Sequence, residues 1–181
     1  LEQARQKLAW IVGRDVDGLP APELLRALAE TASENAVDGL FAPLFWMLIG
    51  AGLWSLNPAL PGPLALAWAF KASSTLDSML RYRRGGLQWL GSAGLGQLVP
   101  ALREGASDPS PNAGVSQAAY AHALGLRLGG LNRYGGIERA KPLLNEGGRA
   151  TDQQGVQAIL AASQRSALLW LGLSGLVALL A

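Results

Sequence analysis

The sequence predicts an all-α fold: a multi-helix integral membrane protein with a membrane hairpin and glycine-rich polar loops. Half of the 181 residues are hydrophobic and only 15% are charged, against about 25% in ordinary soluble domains. From Gly39 to Phe70 there are 32 consecutive residues without a charge, where about 20 suffice to cross a bilayer core. That run is interrupted by Asn57-Pro58, Pro61, Gly62 and Pro63, which divides it into two helical limbs.

In chain order, Leu8, Ala9, Ile11 and Val12 follow a polar start, predicting a first helix that stops at Gly13. Arg14–Gly18 is a polar turn, and Leu19-Pro20-Ala21-Pro22 makes the next helix begin afresh around Pro22-Glu23. That helix carries Leu24, Leu25, Ala27 and Leu28 on one side and Arg26, Glu30 and Glu34 on another. The uncharged run then reads as a hairpin: Phe41–Leu56 inward, a turn at Asn57–Pro63, and a return from Leu64 to about Leu80. This return would bring Lys71 and Asp77 to membrane depth or its boundary, where ionisable groups need partners or a polar cavity. A buried hairpin in a large soluble helical protein is the alternative.

Arg81, Arg83 and Arg84 point that end toward the cytoplasm. Gly85–Gly96 holds five glycines in twelve residues, and Asp108–Gly114 is rich in turn formers. Val115–Leu128 is predicted helical with a small-residue face of Ala118, Ala119, Ala121 and Ala123. His122 sits among these alanines and reads as structural. Leu128–Gly136 reads as a turn, Thr151 with Gln154 as a capping box opening the last helix, and Ala167–Ala181 as an uncharged segment.

Composition excludes several chemistries. There is no cysteine and one histidine, His122, so thiolate catalysis, disulfides and Cys- or multi-His-ligated metals are ruled out and any metal must be held by oxygen. The net charge is only +2, and no Lys/Arg run interleaved with aromatics marks a nucleic-acid module. No Walker loop or nucleophile motif is present. The polar candidate is the stripe Glu30, Glu34, Asp38, spaced four apart so that the carboxylates stack on one helix face. Like charges at this spacing repel. A cation, a basic partner or hydrogen bonds would compensate them, as on a face handling a hard metal or polyphosphate; a solvated acidic surface is the alternative.

Five ordered motifs go further: Ile11-Val12-Gly13-Arg14-Asp15; Glu30-Thr31-x2-Glu34-Asn35-x2-Asp38-Gly39-x2-Ala42-Pro43-Leu44-Phe45; Lys71-Ala72-x2-Thr75-Leu76-Asp77-Ser78-Met79; Ser110–Gly114; and Ala123–Gly130. Together they resemble the CobD/CbiB family, the adenosylcobinamide-phosphate synthases of cobalamin biosynthesis. The resemblance runs from about Leu8 to Ile159. It implies a multi-pass inner-membrane enzyme with its site facing the cytoplasm, which uses ATP and Mg²⁺ to join adenosylcobyric acid to aminopropanol or its phosphate through an amide. Membrane lipid, corrinoid and other cobalamin-pathway membrane enzymes are the implied partners, and nucleic acid is not one.

Under this resemblance the catalytic candidates are Glu30, Glu34, Asn35, Asp38, Lys71 and Asp77, with Glu34, Asp38 and Asp77 as metal ligands. Arg14, Lys71 and Arg127 would neutralise phosphate charge; Asn35, Thr75, Ser78 and Asn112 would supply hydrogen bonds. The loops Ser110–Gly114 and Gly129–Gly136 would wall the corrinoid. Residues 1–181 are expected to form a single domain of this type. Family members carry further membrane helices before the region where this chain starts at Leu1, asparagine at position 74 where Ser74 stands, and an acidic pair with a hydrophobic stretch where Leu95–Glu104 leads directly to the Ser-Pro-Asn loop. An internal segment near 95–104 is therefore expected to be missing.

Overall fold

The computed structural model describes residues 1–80 and 95–180. The Arg81–Arg84 cluster and most of the predicted glycine-rich loop at 85–96 lie outside the described residues. The fold is mostly helical with one small sheet, and it divides into two compact units: Leu1–Glu34 with Ser92–Ala161, and Asn35–Gly91 with Ala162–Ala181.

The first unit opens with α1 (Glu2–Ala9) and α2 (Ala21–Ala36). The first helix stops before Gly13 because its last turn tightens: the amides of Ile11 and Val12 both return to the Leu8 carbonyl, at 3.0 and 3.1 Å. Leu8, Val16, Leu24 and Ala27 form a buried cluster here, with Val12, Leu19 and Leu28 packed against it. The apolar side expected for α2 is therefore its inner side. Further along, α5 (Leu95–Gly105) and α6 (Pro111–Leu124) precede β1 (Leu126–Tyr134), β2 (Ile137–Leu144) and β3 (Arg149–Ala150). On α6, Ala118, Ala119 and Ala121 are fully buried, as a close-packing face requires; Ala123 is exposed.

The sheet corrects the all-α expectation. Its strand order is β2-β1-β3, β1 pairing antiparallel with β2 and parallel with β3. Leu126 and Leu128 are fully buried while Arg127 is exposed, the period-two alternation of a half-buried strand. The stretch read as a turn is a strand plus a two-residue hairpin loop: Tyr134 pairs with Ile137, and Gly135 and Gly136 have φ of 58° and 79°, the left-handed pair that a type I′ turn demands. The register shifts between Leu128 and Gly130, where Pro142 and Leu143 together oppose the single residue Gly129. Proline, lacking an N–H, suits such a bulge. The final helix, α7 (Gln153–Leu180), is capped by Asp152 rather than through the predicted Thr151 box: the Gly155 amide donates to Asp152 Oδ1 at 2.7 Å.

In the second unit, α3 (Ala42–Leu56) and α4 (Pro63–Leu80) form the expected hairpin across Asn57–Gly62. Gly50 makes the close approach possible, since a Cβ there would lie 2.7 Å from the Gly62 carbonyl oxygen. The stripe does not continue as a regular α-helix. Val37–Phe41, which holds Asp38, is a π-turn. One helix among the described residues, Ala21–Leu56 counted through this π-turn, is long and apolar enough to cross a membrane.

Candidate functional site

Within the first unit, polar chemistry converges on Glu30. Glu30 is 2% exposed, and both of its carboxylate oxygens are engaged. Oε1 accepts from Arg26 Nη1 and from the Gly129 amide, both at 2.9 Å, and Oε2 accepts from Arg14 Nη2. Burying a carboxylate is tolerable only with such charged and hydrogen-bonding partners. The Gly129 amide is available because the bulge takes it out of the strand ladder. Its φ of 82° excludes most side chains, and a Cβ would fall 2.0 Å from the Pro142 carbonyl oxygen.

Arg26 completes the clamp. Nε and Nη2 bond Glu23 Oε2, Nη1 bonds Glu30 and the Gly129 carbonyl (2.6 Å), and Nη2 also reaches the Leu131 carbonyl at 2.8 Å. All five guanidinium N–H groups are thereby used. Arg14 also donates to Asn132 Oδ1. The turn before α2 is tied to the hairpin: the Asp15 amide donates to the Arg133 carbonyl at 2.8 Å, and Asp15 accepts from the Gly135 and Gly136 amides at 3.1 and 2.8 Å. The Gly136 amide first, with Gly135 and nearby Arg133, holds the Asp15 carboxyl below its ordinary value.

These residues surround a cleft of about 230 Å³ lined by Arg14, Asp15, Asp17, Arg26, Asn132 and Glu138 among others. Asn132 is buried, and its Nδ2 has no hydrogen-bond partner among the described residues. Elsewhere in the unit, Glu104 Oε2 meets His122 Nε2 at 2.8 Å and the Asn145 amide at 2.7 Å, which gives the lone histidine a bracing role between α5, α6 and the end of β2.

The predicted site residues fall in both units. Arg14 and Glu30 are brought together. Glu34, a turn beyond Glu30, accepts from Gln117 Nε2 at 3.3 Å. Asn112 is half-buried in the first turn of α6, and Arg127 is exposed on β1. Asn35, Asp38, Lys71 and Thr75 belong to the second unit, with Asn35, Lys71 and Thr75 exposed. Asp77 and Ser78 fall on α4, but their side chains lie outside the described residues. No group of three or more acidic or histidine side chains that could hold a metal ion occurs among the described residues. Sequence reasoning missed Arg26, Gly129 and Asn132 as parts of this network. The available signal was Arg26 four residues before Glu30, together with a Gly-Gly pair between two strand-length runs.

The family model described as CobD/Cbib protein matches residues 1–95 and 95–163. The chain belongs to the CobD/Cbib family. Its relatives include the cobalamin biosynthesis protein CobD of Synechocystis sp., 41% identical over all of this chain and 59% of the relative. The CobD of Pelobacter propionicus is 36% identical over 88% of this chain and 55% of its own length. The cobalamin biosynthesis protein CbiB of Salmonella typhi is 37% identical over 82% and 52%. The chain thus spans a little over half the length of the curated relatives it matches. No solved structure matches it.

Proposed function

We propose that this CobD/Cbib chain takes part in cobalamin biosynthesis as an amide ligase, joining a carboxylate of adenosylcobyric acid to aminopropanol or its phosphate. The observation that carries this reading is the meeting of three separate sequence motifs at one carboxylate: Arg14, Glu30 and Gly129 lie far apart in the chain and bond directly. Because both Glu30 oxygens are engaged, its role in this reading is positioning: it sets Arg14 and the β1 bulge.

The chemistry requires activation, since a carboxylate does not release oxygen to an amine unaided. ATP would transfer its terminal phosphoryl group to the carboxylate, giving an acyl phosphate and ADP. The amine then attacks the acyl carbon, phosphate leaves with the former carboxylate oxygen, and the amine loses a proton. Lys71 and Arg127 are proposed to neutralise phosphate charge, and Asn35, Thr75, Ser78 and Asn112 to hydrogen-bond the reactants. Mg²⁺ belongs to the proposal as the partner of ATP, with Glu34, Asp38 and Asp77 as ligands.

An inner-membrane, multi-pass setting is part of the same reading. The second unit displays Trp54, Leu56, Leu64, Trp68, Leu168 and Leu169 on its exterior, a surface suited to lipid contact. The test is direct: membranes bearing this chain, supplied with adenosylcobyric acid, aminopropanol phosphate and Mg-ATP, form the amide. Folded protein that yields none overturns the reading. A second reading, a non-catalytic scaffold or sensor of the same family, draws on the family match falling into two stretches that meet at residue 95. It predicts that Glu34→Gln and Asp77→Asn leave cobalamin synthesis intact in cells, and loss of synthesis removes it.

A further inference from the structure

The cleft beside the hairpin has a chemistry that the Glu30 network leaves unused. Three of its lining residues are cationic, Arg14, Arg26 and Arg133, and three are anionic, Asp15, Asp17 and Glu138. Most of this charge is already committed. Arg26 has every N–H bonded, and Asp15 holds the Gly135 and Gly136 amides and faces Arg133 Nε at 3.6 Å.

What remains falls into two sets. The donor set is Asn132 Nδ2, buried without an acceptor among the described residues; Arg14, two of whose five N–H groups are used there, one on Glu30 and one on Asn132; and Arg133, whose Nη2 donates to the Asp17 carbonyl at 3.0 Å. The Asn132 amide orientation is fixed, because Arg14 can only donate and therefore takes the oxygen. The acceptor set is the carboxylates of Asp17 and Glu138, which have no hydrogen-bond or ion-pair partner among the described residues.

We infer that this cleft is a binding site for a small zwitterion, with an anionic group received by Asn132 and Arg14 and an ammonium group by Asp17 and Glu138. Balanced lining charge disfavours a polyanion such as a nucleoside triphosphate, and about 230 Å³ is below the usual range for drug-sized ligands. A buried donor left unpaired is costly, so filling it gives the anionic end its hold. Within the ligase reading the occupant is the amine reactant as a phosphate ester, an assignment that rests on that reading; the zwitterion site itself does not.

Calorimetric titration of the full chain in detergent micelles with O-phosphoethanolamine, ethanolamine and inorganic phosphate tests this. The zwitterion binds, and each half binds at least tenfold more weakly. Asn132→Asp keeps an oxygen for Arg14 but replaces the donor, so affinity for O-phosphoethanolamine falls at least tenfold with Tm maintained. The double variant Asp17→Asn, Glu138→Gln weakens the zwitterion tenfold without changing phosphate binding. Equal affinity for phosphate and the zwitterion, no binding of any probe, or affinities untouched by these variants overturns the site. Amide formation at an unchanged KM for the amine in Asn132→Asp also overturns the site while leaving the ligase reading standing. Binding as expected with no amide formed supports the site and removes the ligase.

Discussion

Glu30 and Trp68 invert the usual placement of polar and apolar residues: the acidic residue is 2% exposed, whereas the tryptophan is 71% exposed. In the first unit charged groups such as Glu30 go inside where they find partners, and the fold is specified by which partner each finds. In the second, helices rich in Leu and Trp turn those side chains outward and pack through small residues such as Gly50. The difference teaches that hydropathy alone mislocates the interior here. One unit is ordered by buried charge, the other by helix-to-helix contact beneath an apolar exterior.

The largest break in the comparison comes from Glu30→Ala, which leaves two arginines beside the cavity of a missing charge. A loss of about 3–5 kcal/mol is expected, read as a lowered denaturation midpoint with loss of amide-exchange protection at Gly129. Next, Trp68→Lys separates lipid from water as the medium around the second unit. In a bilayer core a lysine costs about 2.5–3.5 kcal/mol, measured as reduced membrane integration; a surface in water would change by within about 0.5 kcal/mol. Gly129→Ala sharpens the polar side: strain at positive φ and the clash with Pro142 predict a loss of roughly 1–3 kcal/mol by chemical denaturation. The smallest effect concerns pH. The Asp15 carboxyl titrates below its ordinary value in the folded chain, so its contribution is complete above an unfolded pKa of about 3.9 and is lost as pH falls through the lower folded value. In Asp15→Asn that part of the acid-side slope disappears, as a melting series below pH 5 would reveal.

The helices were legible because apolar spacing and proline positions are local signals: Pro20 and Pro22 place the start of α2, and Asn57–Pro63 places the hairpin turn. The sheet was hidden for a physical reason. Gly129-Gly130 and Gly135-Gly136 look like generic flexibility, yet one pair builds a bulge and the other a tight turn, a distinction made by the pairing of β1 with β2. The stripe Glu30, Glu34, Asp38 was legible as a repeat, but its meaning was set elsewhere. Arg14 neutralises Glu30 and the Gly129 amide hydrogen-bonds it, both from distant positions in the chain, and Asp38 lies in the π-turn at Val37–Phe41. Of the candidate site, the pairing of Arg14 with the acidic stripe lay within reach of the motifs; the roles of Asn132 and Arg26 required the folded backbone.

Arg26 has a consequence for folding fidelity. A sheet whose third strand is two residues long, with glycines on both sides of the pleat, has little of its own to prevent β1 from sliding against β2. By grasping the carbonyls of Gly129 and Leu131 while Glu30 holds the Gly129 amide, helix α2 acts as an external ruler for the hairpin. A slip of one residue would take the Gly129 amide from Glu30 and two carbonyls from Arg26, so a misaligned hairpin leaves buried charge short of hydrogen bonds.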